Sequence, residues 1–192
     1  MRRFMNIAQA VGIGGAIAIG MGFGTAAGWA VQFPDGTVAF EAVPQLVNFA
    51  ATQTLVGRRA TYYFTLHLPE GAGEPLETLT IELTEGREPL FRYRLEATHV
   101  FLGTRRDRGA AVPIAAVDYD AETQRLTVEL AEPIAPGQDF TVALVPVRNP
   151  RWEGIYLFEV AAEPAGEVTR SQRIGTARLH IYRSGDRDPF WP

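Results

Sequence analysis

The sequence predicts an all-β domain, an antiparallel β-sandwich of immunoglobulin-like type with about eight or nine short strands. Three observations carry this. Apolar and polar residues alternate with period two, most cleanly in Leu76–Thr84, where Leu79, Ile81 and Leu83 oppose Thr78, Thr80, Glu82 and Thr84. That pattern is a strand with one face in a core and the other in water. Gly, Pro and acidic clusters interrupt such stretches at roughly 8–16-residue spacing, as the turns of a sandwich do. Beyond Val31 no segment carries the apolar spacing of an amphipathic helix.

Residues 1–30 read as a secretory signal peptide rather than as fold. Arg2 and Arg3 form a positive start, Ile7 to Phe23 is apolar and uncharged, and Gly28-Trp29-Ala30 and Thr25-Ala26-Ala27 offer small residues at cleavage positions. The competing reading is an uncleaved anchor, because Ile7 to Val31 is long enough to span a bilayer. Membrane contact is expected only through that segment. Gly22-Phe23-Gly24-Thr25-Ala26-Ala27 matches a dinucleotide fingerprint in letters only, since no strand precedes it.

Residues 31–183 are the expected sandwich domain. Pro34 to Ala50 is ambiguous, and Pro44 to Ala50 reads as a short helix or an extended edge. Ala60–Leu68 is rich in aromatic and β-branched residues, as strands are, and a Pro-Glu-Gly-Ala-Gly-Glu-Pro loop (residues 69–75) separates it from Leu76–Thr84. Further strands are expected at Phe91–Leu95, Val100–Gly103, Pro113–Tyr119, Thr123–Leu130, Phe140–Val147, Ile155–Ala162 and Thr176–Arg183. Asp118 to Thr123 and Pro133 to Gly137 read as turns between them. Residues 184–192 form a tail whose Phe190-Trp191 is either a docking tag or packs back on the domain. A small membrane barrel also alternates, but Pro146 inside a strand candidate and several strands too short to cross a bilayer oppose it.

Several stretches together have the wording of a known family. They are Ala60-Thr61-Tyr62-Tyr63-Phe64, Gly103-Thr104-Arg105-Arg106, Val145-Pro146-Val147-Arg148-Asn149-Pro150-Arg151-Trp152, Pro164-Ala165-Gly166-Glu167 and Gly175 to Tyr182. Across Phe40 to Tyr182 the chain resembles a cyanobacterial family of secreted proteins classed as a domain of unknown function. The resemblance implies an extracytoplasmic cyanobacterial protein and implies no activity.

Composition excludes several chemistries. The 192 residues carry 18 basic against 22 acidic side chains, a net charge of -4, whereas a nucleic-acid binder presents a basic surface. There is no Cys, hence no disulfide, thiolate nucleophile or Cys-ligated metal. Every basic residue is Arg; without Lys, Schiff-base chemistry and a P-loop are out. Ser171 and Ser184 are the only serines and neither sits in G-x-S-x-G. No catalytic residue is assigned, and no cofactor is required.

Binding candidates remain. Arg105, Arg106 and Arg108 sit in a Gly-bounded loop (residues 103–109) and suit bidentate capture of phosphate, sulfate or uronate; the alternative is pairing with acids such as Asp107. Arg148, Arg151, Trp152 and Tyr156 join two strands and make either an aromatic platform for a sugar or protein, or a cap on the core. His67 and His180 are first choices if a metal binds, although no metal-ligand spacing is present. Asp118, Asp120 and Glu122 have calcium-like alternation, but Thr123 stands where a calcium loop needs Gly.

The expected function is a non-catalytic binding or scaffolding domain of the cell envelope, in periplasm, envelope or thylakoid lumen, whose partner is an envelope polysaccharide or protein. The alternatives are a periplasmic metal-binding domain and a carboxylate-based envelope hydrolase.

Overall fold

A computed structural model describes residues 31–32, 36–89 and 91–185. The expected signal peptide or anchor (residues 1–30) and residues 186–192 of the tail lie outside the described residues. Among those described, no helix is long and apolar enough to cross a membrane.

The strands are β1 (Val31–Gln32), β2 (Val38–Ala39), β3 (Gln45–Ala51), β4 (Tyr62–Leu68), β5 (Leu76–Glu85) and β6 (His99–Gly103). They continue with β7 (Arg108–Val112), β8 (Ile114–Asp120), β9 (Arg125–Ile134), β10 (Gln138–Leu144), β11 (Gly154–Pro164) and β12 (Gln172–Ile181). Two five-stranded antiparallel sheets form the sandwich. The first has the order β3-β4-β10-β6-β7 and the second β12-β11-β5-β9-β8. The antiparallel all-β sandwich foreseen from period-two alternation is the fold, with ten strands in its sheets and a small β1–β2 ribbon beside them.

Alternation decides what each strand buries. On β4, Tyr62, Phe64, Leu66 and Leu68 are fully buried between the sheets; on β5, Leu76, Leu79 and Ile81 are, and on β11 Tyr156, Phe158, Val160 and Ala162. Phe158 is the aromatic hub, with ring centroids 5.9–6.3 Å from Phe91, Tyr62, Phe64 and Phe49. Tilted and edge-on contacts of this kind add to the area each ring removes from water.

The sheets join along both long edges. At one, β3 packs against β12, where Gly175 lies so near Leu46 that an added Cβ would meet Leu46 Cβ at 2.8 Å. At the other, the chain passes from β7 to β8 through Pro113, whose carbonyl accepts the Ala131 N–H at 2.9 Å. The β8–β9 turn closes on Asp120, which accepts the Glu122 N–H at 2.8 Å and the Thr123 hydroxyl at 2.9 Å. Those bonds to the charged form hold the Asp120 carboxyl below its ordinary pKa.

Two expectations are corrected, and one open alternative is decided. Phe91–Leu95 is not a ladder strand: it touches its neighbour through one bridge, Tyr93 to Pro146, and then turns into a 3-10 segment at Leu95–Ala97. The strand expected through Val147 ends at Leu144, before Pro146, which has no N–H to pair. The ambiguous stretch before Ala50 is an extended edge strand, β3, held by pairing to β4.

Candidate anion-binding surface

The outer face of the first sheet should be wet, yet its centre is buried. Tyr63, Thr65, Phe101, Thr141 and Ala143 point away from the core by strand parity, and all are less than 9% exposed. Tyr63, Phe101 and Ala143 form an apolar cluster separate from the core. The Arg105 and Arg108 side chains lie over the Tyr63 and Phe101 rings.

Local chemistry fixes the β6–β7 turn. Gly103 has φ 83°, and a Cβ there would collide with the Asp107 carbonyl oxygen. The Thr104 N–H donates to that oxygen at 2.9 Å, and the Asp107 N–H donates to Thr104 Oγ1 at 3.2 Å. Thr141 donates its hydroxyl to the Gly103 carbonyl at 2.8 Å and lies 3.0 Å from the Thr65 hydroxyl, which ties the turn to β10 and β4.

The turn and the first residue of β7 lay two guanidinium groups over aromatic rings; the loop expected at residues 103–109 is only the turn 104–107, since Arg108 already pairs with Gly103. Arg105 sits 5.0 Å and Arg108 5.5 Å from the Tyr63 ring centroid, and Arg108 is also 4.8 Å from that of Phe101. Arg108 Nη2 donates to the Tyr63 hydroxyl at 3.2 Å. His99 stacks on the Phe101 ring with centroids 6.0 Å apart. A guanidinium placed over a ring keeps N–H donors for an anion, and Arg108 spends one of its five on the Tyr63 hydroxyl. Arg105, Arg106 and Arg108 are all exposed, and among the described residues none forms an ion pair with a carboxylate, Asp107 included.

The second group of arginines is held by a different device. Asn149, fully buried, accepts the Tyr62 hydroxyl at 2.7 Å and donates from Nδ2 to the Gln53 and Leu55 carbonyls, both at 2.9 Å. Its own N–H donates to the Arg58 carbonyl at 2.7 Å. This latch pins the β10–β11 loop and leaves Arg148 and Arg151 exposed on either side of Asn149-Pro150. They border a cleft of about 330 Å³ shared with Arg92 and Glu88. Glu88 accepts the Arg151 backbone N–H at 2.7 Å.

The expected platform loses one member. Trp152 is 52% exposed, but Tyr156 is fully buried against Gly86, and its hydroxyl donates to the Trp152 carbonyl at 2.9 Å. Tyr156 therefore belongs to the core, and burial raises its hydroxyl pKa. Pairing register separates the roots of the two arginine groups, although Arg105 and Arg108 reach back over Tyr63, which pairs with Ala143 near the 145–151 loop. β10 starts opposite the Gly103 end of β6 and finishes opposite His99, so the roots of the 104–107 turn and of the 145–151 loop lie at opposite ends of the sheet.

The metal candidates also part. His67 lies on the outer face of the first sheet with Nδ1 2.7 Å from Asp139 Oδ1; His180 lies outward on β12 of the second sheet beside Tyr182. A sandwich thickness separates them, so they cannot share one ion. Among the described residues no three His, Asp or Glu side chains converge. Phe101, Glu88 and Arg92 carry no signal in the sequence, and Tyr63, expected with Tyr62 and Phe64 in the core, lies in the separate outer cluster. Parity carried the signal for Tyr63, which shares a phase with Thr65 and His67 and opposes Phe64.

Residues 37–181 match the model of a family described as a protein of unknown function (DUF2808). The chain belongs to that family. The match spans β2 to β12 and contains both arginine groups. No curated protein matches the chain. Among solved structures, the chain is similar to the bacterial hydrophobin BslA, at 14% identity and TM-score 0.40, over 71% of this chain and 95% of that one. It is similar to the pilus 2b backbone protein of group B streptococcus, at 9% identity and TM-score 0.45, over 69% of this chain and 56% of that one. It is also similar to the collagen-binding subdomain of the Enterococcus faecalis surface protein ACE, at 7% identity and TM-score 0.42, over 69% and 95%.

Proposed function

We propose that this protein is an extracytoplasmic, non-catalytic binding or scaffolding domain of the cell envelope, recognising anionic groups through Arg105, Arg106 and Arg108. One observation carries the reading: two guanidiniums without a carboxylate partner, stacked at 5.0 and 5.5 Å on one buried tyrosine of a protein with net charge -4. An arginine held on a ring loses little freedom when it captures a carboxylate, sulfate or phosphate, so its donors act as a preorganised receptor. The partner class that fits is an acidic envelope polysaccharide or an acidic envelope protein.

The hydrolase alternative has less support. Among the described residues Glu88 is the only carboxylate on the cleft, whereas glycoside hydrolysis ordinarily uses two facing each other. The displaced pKa values fall on Tyr62, Tyr93, Tyr119 and Tyr156, raised first of all by burial, and on the turn residue Asp120. None of these groups is poised for acid–base work in a cleft.

The test is retention of the protein on envelope fractions with Arg105→Ala and Arg106→Ala combined. Wild type should bind and elute with rising salt, because exposed charges are screened; the variant should elute at markedly lower salt. Equal, salt-insensitive behaviour of both proteins would overturn the proposal.

A further inference from the structure

The cleft at the other end of the first sheet has a composition the outer face lacks. Three arginines, Arg92, Arg148 and Arg151, meet one carboxylate, Glu88, over an apolar lining that includes Val147 and Pro150. The backbone placement of the three is built rather than incidental. The Val147 N–H donates to the Arg92 carbonyl at 2.9 Å, which sets Arg92 beside Arg148, and the Asn149 latch fixes the loop between Arg148 and Arg151. Among the described residues none of the three arginines forms an ion pair, so Glu88 does not neutralise them; it accepts a backbone N–H instead. A volume of about 330 Å³ suits one sugar ring or a similarly small group.

This donor set discriminates between anions. A phosphate or sulfate offers acceptor oxygens on all sides and would be repelled by the Glu88 carboxylate. A uronic acid offers a carboxylate to the guanidiniums at one edge, hydroxyl donors to Glu88 at another, and C–H faces to the apolar lining. We infer that the cleft bordered by Glu88, Arg92, Arg148 and Arg151 is a second subsite that takes a uronate residue of an acidic polysaccharide. This rests on the reading of the protein as a binder of anionic envelope material and names its ligand class. The turn arginines add a second group of donors: rooted at the other end of the sheet, they reach back over Tyr63, which pairs with Ala143 near the start of the 145–151 loop. The domain can therefore hold one polymer at two points, as a scaffold does.

The experiment is calorimetric titration of the full chain with tri-galacturonate, its methyl ester and inorganic phosphate. Four proteins are compared: wild type, Arg148→Gln with Arg151→Gln, Glu88→Gln, and Arg105→Ala with Arg108→Ala. Wild type should bind the triuronate at two sites and discriminate against the ester. The Arg148/Arg151 variant should lose the cleft site, weakening it by about tenfold or more, as loss of charge-assisted bonds does. Glu88→Gln keeps an oxygen for the Arg151 N–H but removes the repelling charge; it should bind phosphate more tightly and triuronate more weakly. Thermal melting within about two degrees of wild type confirms that the variants fold, and Arg92→Gln, outside the loop, serves if the double variant does not.

Wild-type affinity for the ester or phosphate equal to that for the triuronate would overturn the inference. So would a Glu88→Gln protein with unchanged preference. Loss of binding only in the Arg105/Arg108 variant would overturn it too, while leaving the broader proposal standing. Undiminished binding in every variant would overturn both.

Discussion

Asn149→Ala should be among the most damaging single substitutions outside the apolar core. The side chain makes three hydrogen bonds, at 2.7, 2.9 and 2.9 Å, with Tyr62 Oη and the Gln53 and Leu55 carbonyls. Its removal strands a buried hydroxyl and two carbonyls. An orphaned buried group costs about 1–3 kcal/mol, and partial hydration of the carbonyls brings the expected total to about 3–5 kcal/mol. For a domain of this size each kcal/mol moves Tm by about 2–4 °C, so a fall on the order of 10 °C is expected in a thermal melt followed by circular dichroism. Tyr62→Phe alone should cost less, about 1–2 kcal/mol. The double variant should be less destabilised than the sum of the two, since both remove the same bond. A Tm within about 2 °C of wild type, or strict additivity, would refute the latch and with it the fixed placement of Arg148 and Arg151.

Other expectations follow from the same packing. Phe158→Ala removes the ring that Phe49, Tyr62, Phe64 and Phe91 share and should cost about 3–5 kcal/mol in chemical denaturation, with C_m falling at unchanged m. Gly103→Ala drives a methyl into the Asp107 carbonyl and reopens the turn, so the Phe101 and Tyr63 rings should become more accessible in a quenching or hydrogen-exchange measurement while the core stays protected. Burial raises the pKa of Tyr62, Tyr93, Tyr119 and Tyr156 above the ordinary value near 10. Folding thus favours the protonated form: that stabilisation is complete below about pH 10 and is lost as pH rises beyond it. Tyrosinate absorbance should accordingly rise with a cooperative unfolding step at alkaline pH; smooth titration of all tyrosines near pH 10 in the folded protein would contradict this.

What could be read from sequence divides by physical range. The core strands were legible because alternation in Leu76–Thr84 and Ala60–Leu68 reflects a local fact, which side of a pleat each residue occupies. β3 and β7 were harder. Gln45–Ala51 and Arg108–Val112 are short on β-branched and aromatic residues, and pairing to β4 and β6, not propensity, makes them strands. Phe91–Leu95 erred the other way: period two is real there, with Phe91 buried, yet only one bridge forms. The arginines were visible as a cluster, but their support was not. Tyr63, Phe101 and Thr141 meet through pairings of residues 40 to 80 positions apart, which no local pattern encodes. Tyr156 was open between a surface platform and a cap on the core; strand parity, shared with Phe158 and Val160, puts it in the core.

The central claim is that ring stacking, and not charge alone, makes Arg105 and Arg108 a receptor. Tyr63→Leu combined with Phe101→Leu tests it most directly, because it removes the rings under both guanidiniums, and with them the Arg108–Tyr63 hydrogen bond, while leaving every charge in place. Arginines freed from the ring must be immobilised when they bind, at about 0.5–1.5 kcal/mol each, which predicts roughly a fivefold or greater loss of affinity for an acidic polysaccharide. The salt dependence should stay the same, since the number of charges does. An affinity equal to wild type, with the fold intact, would contradict the account.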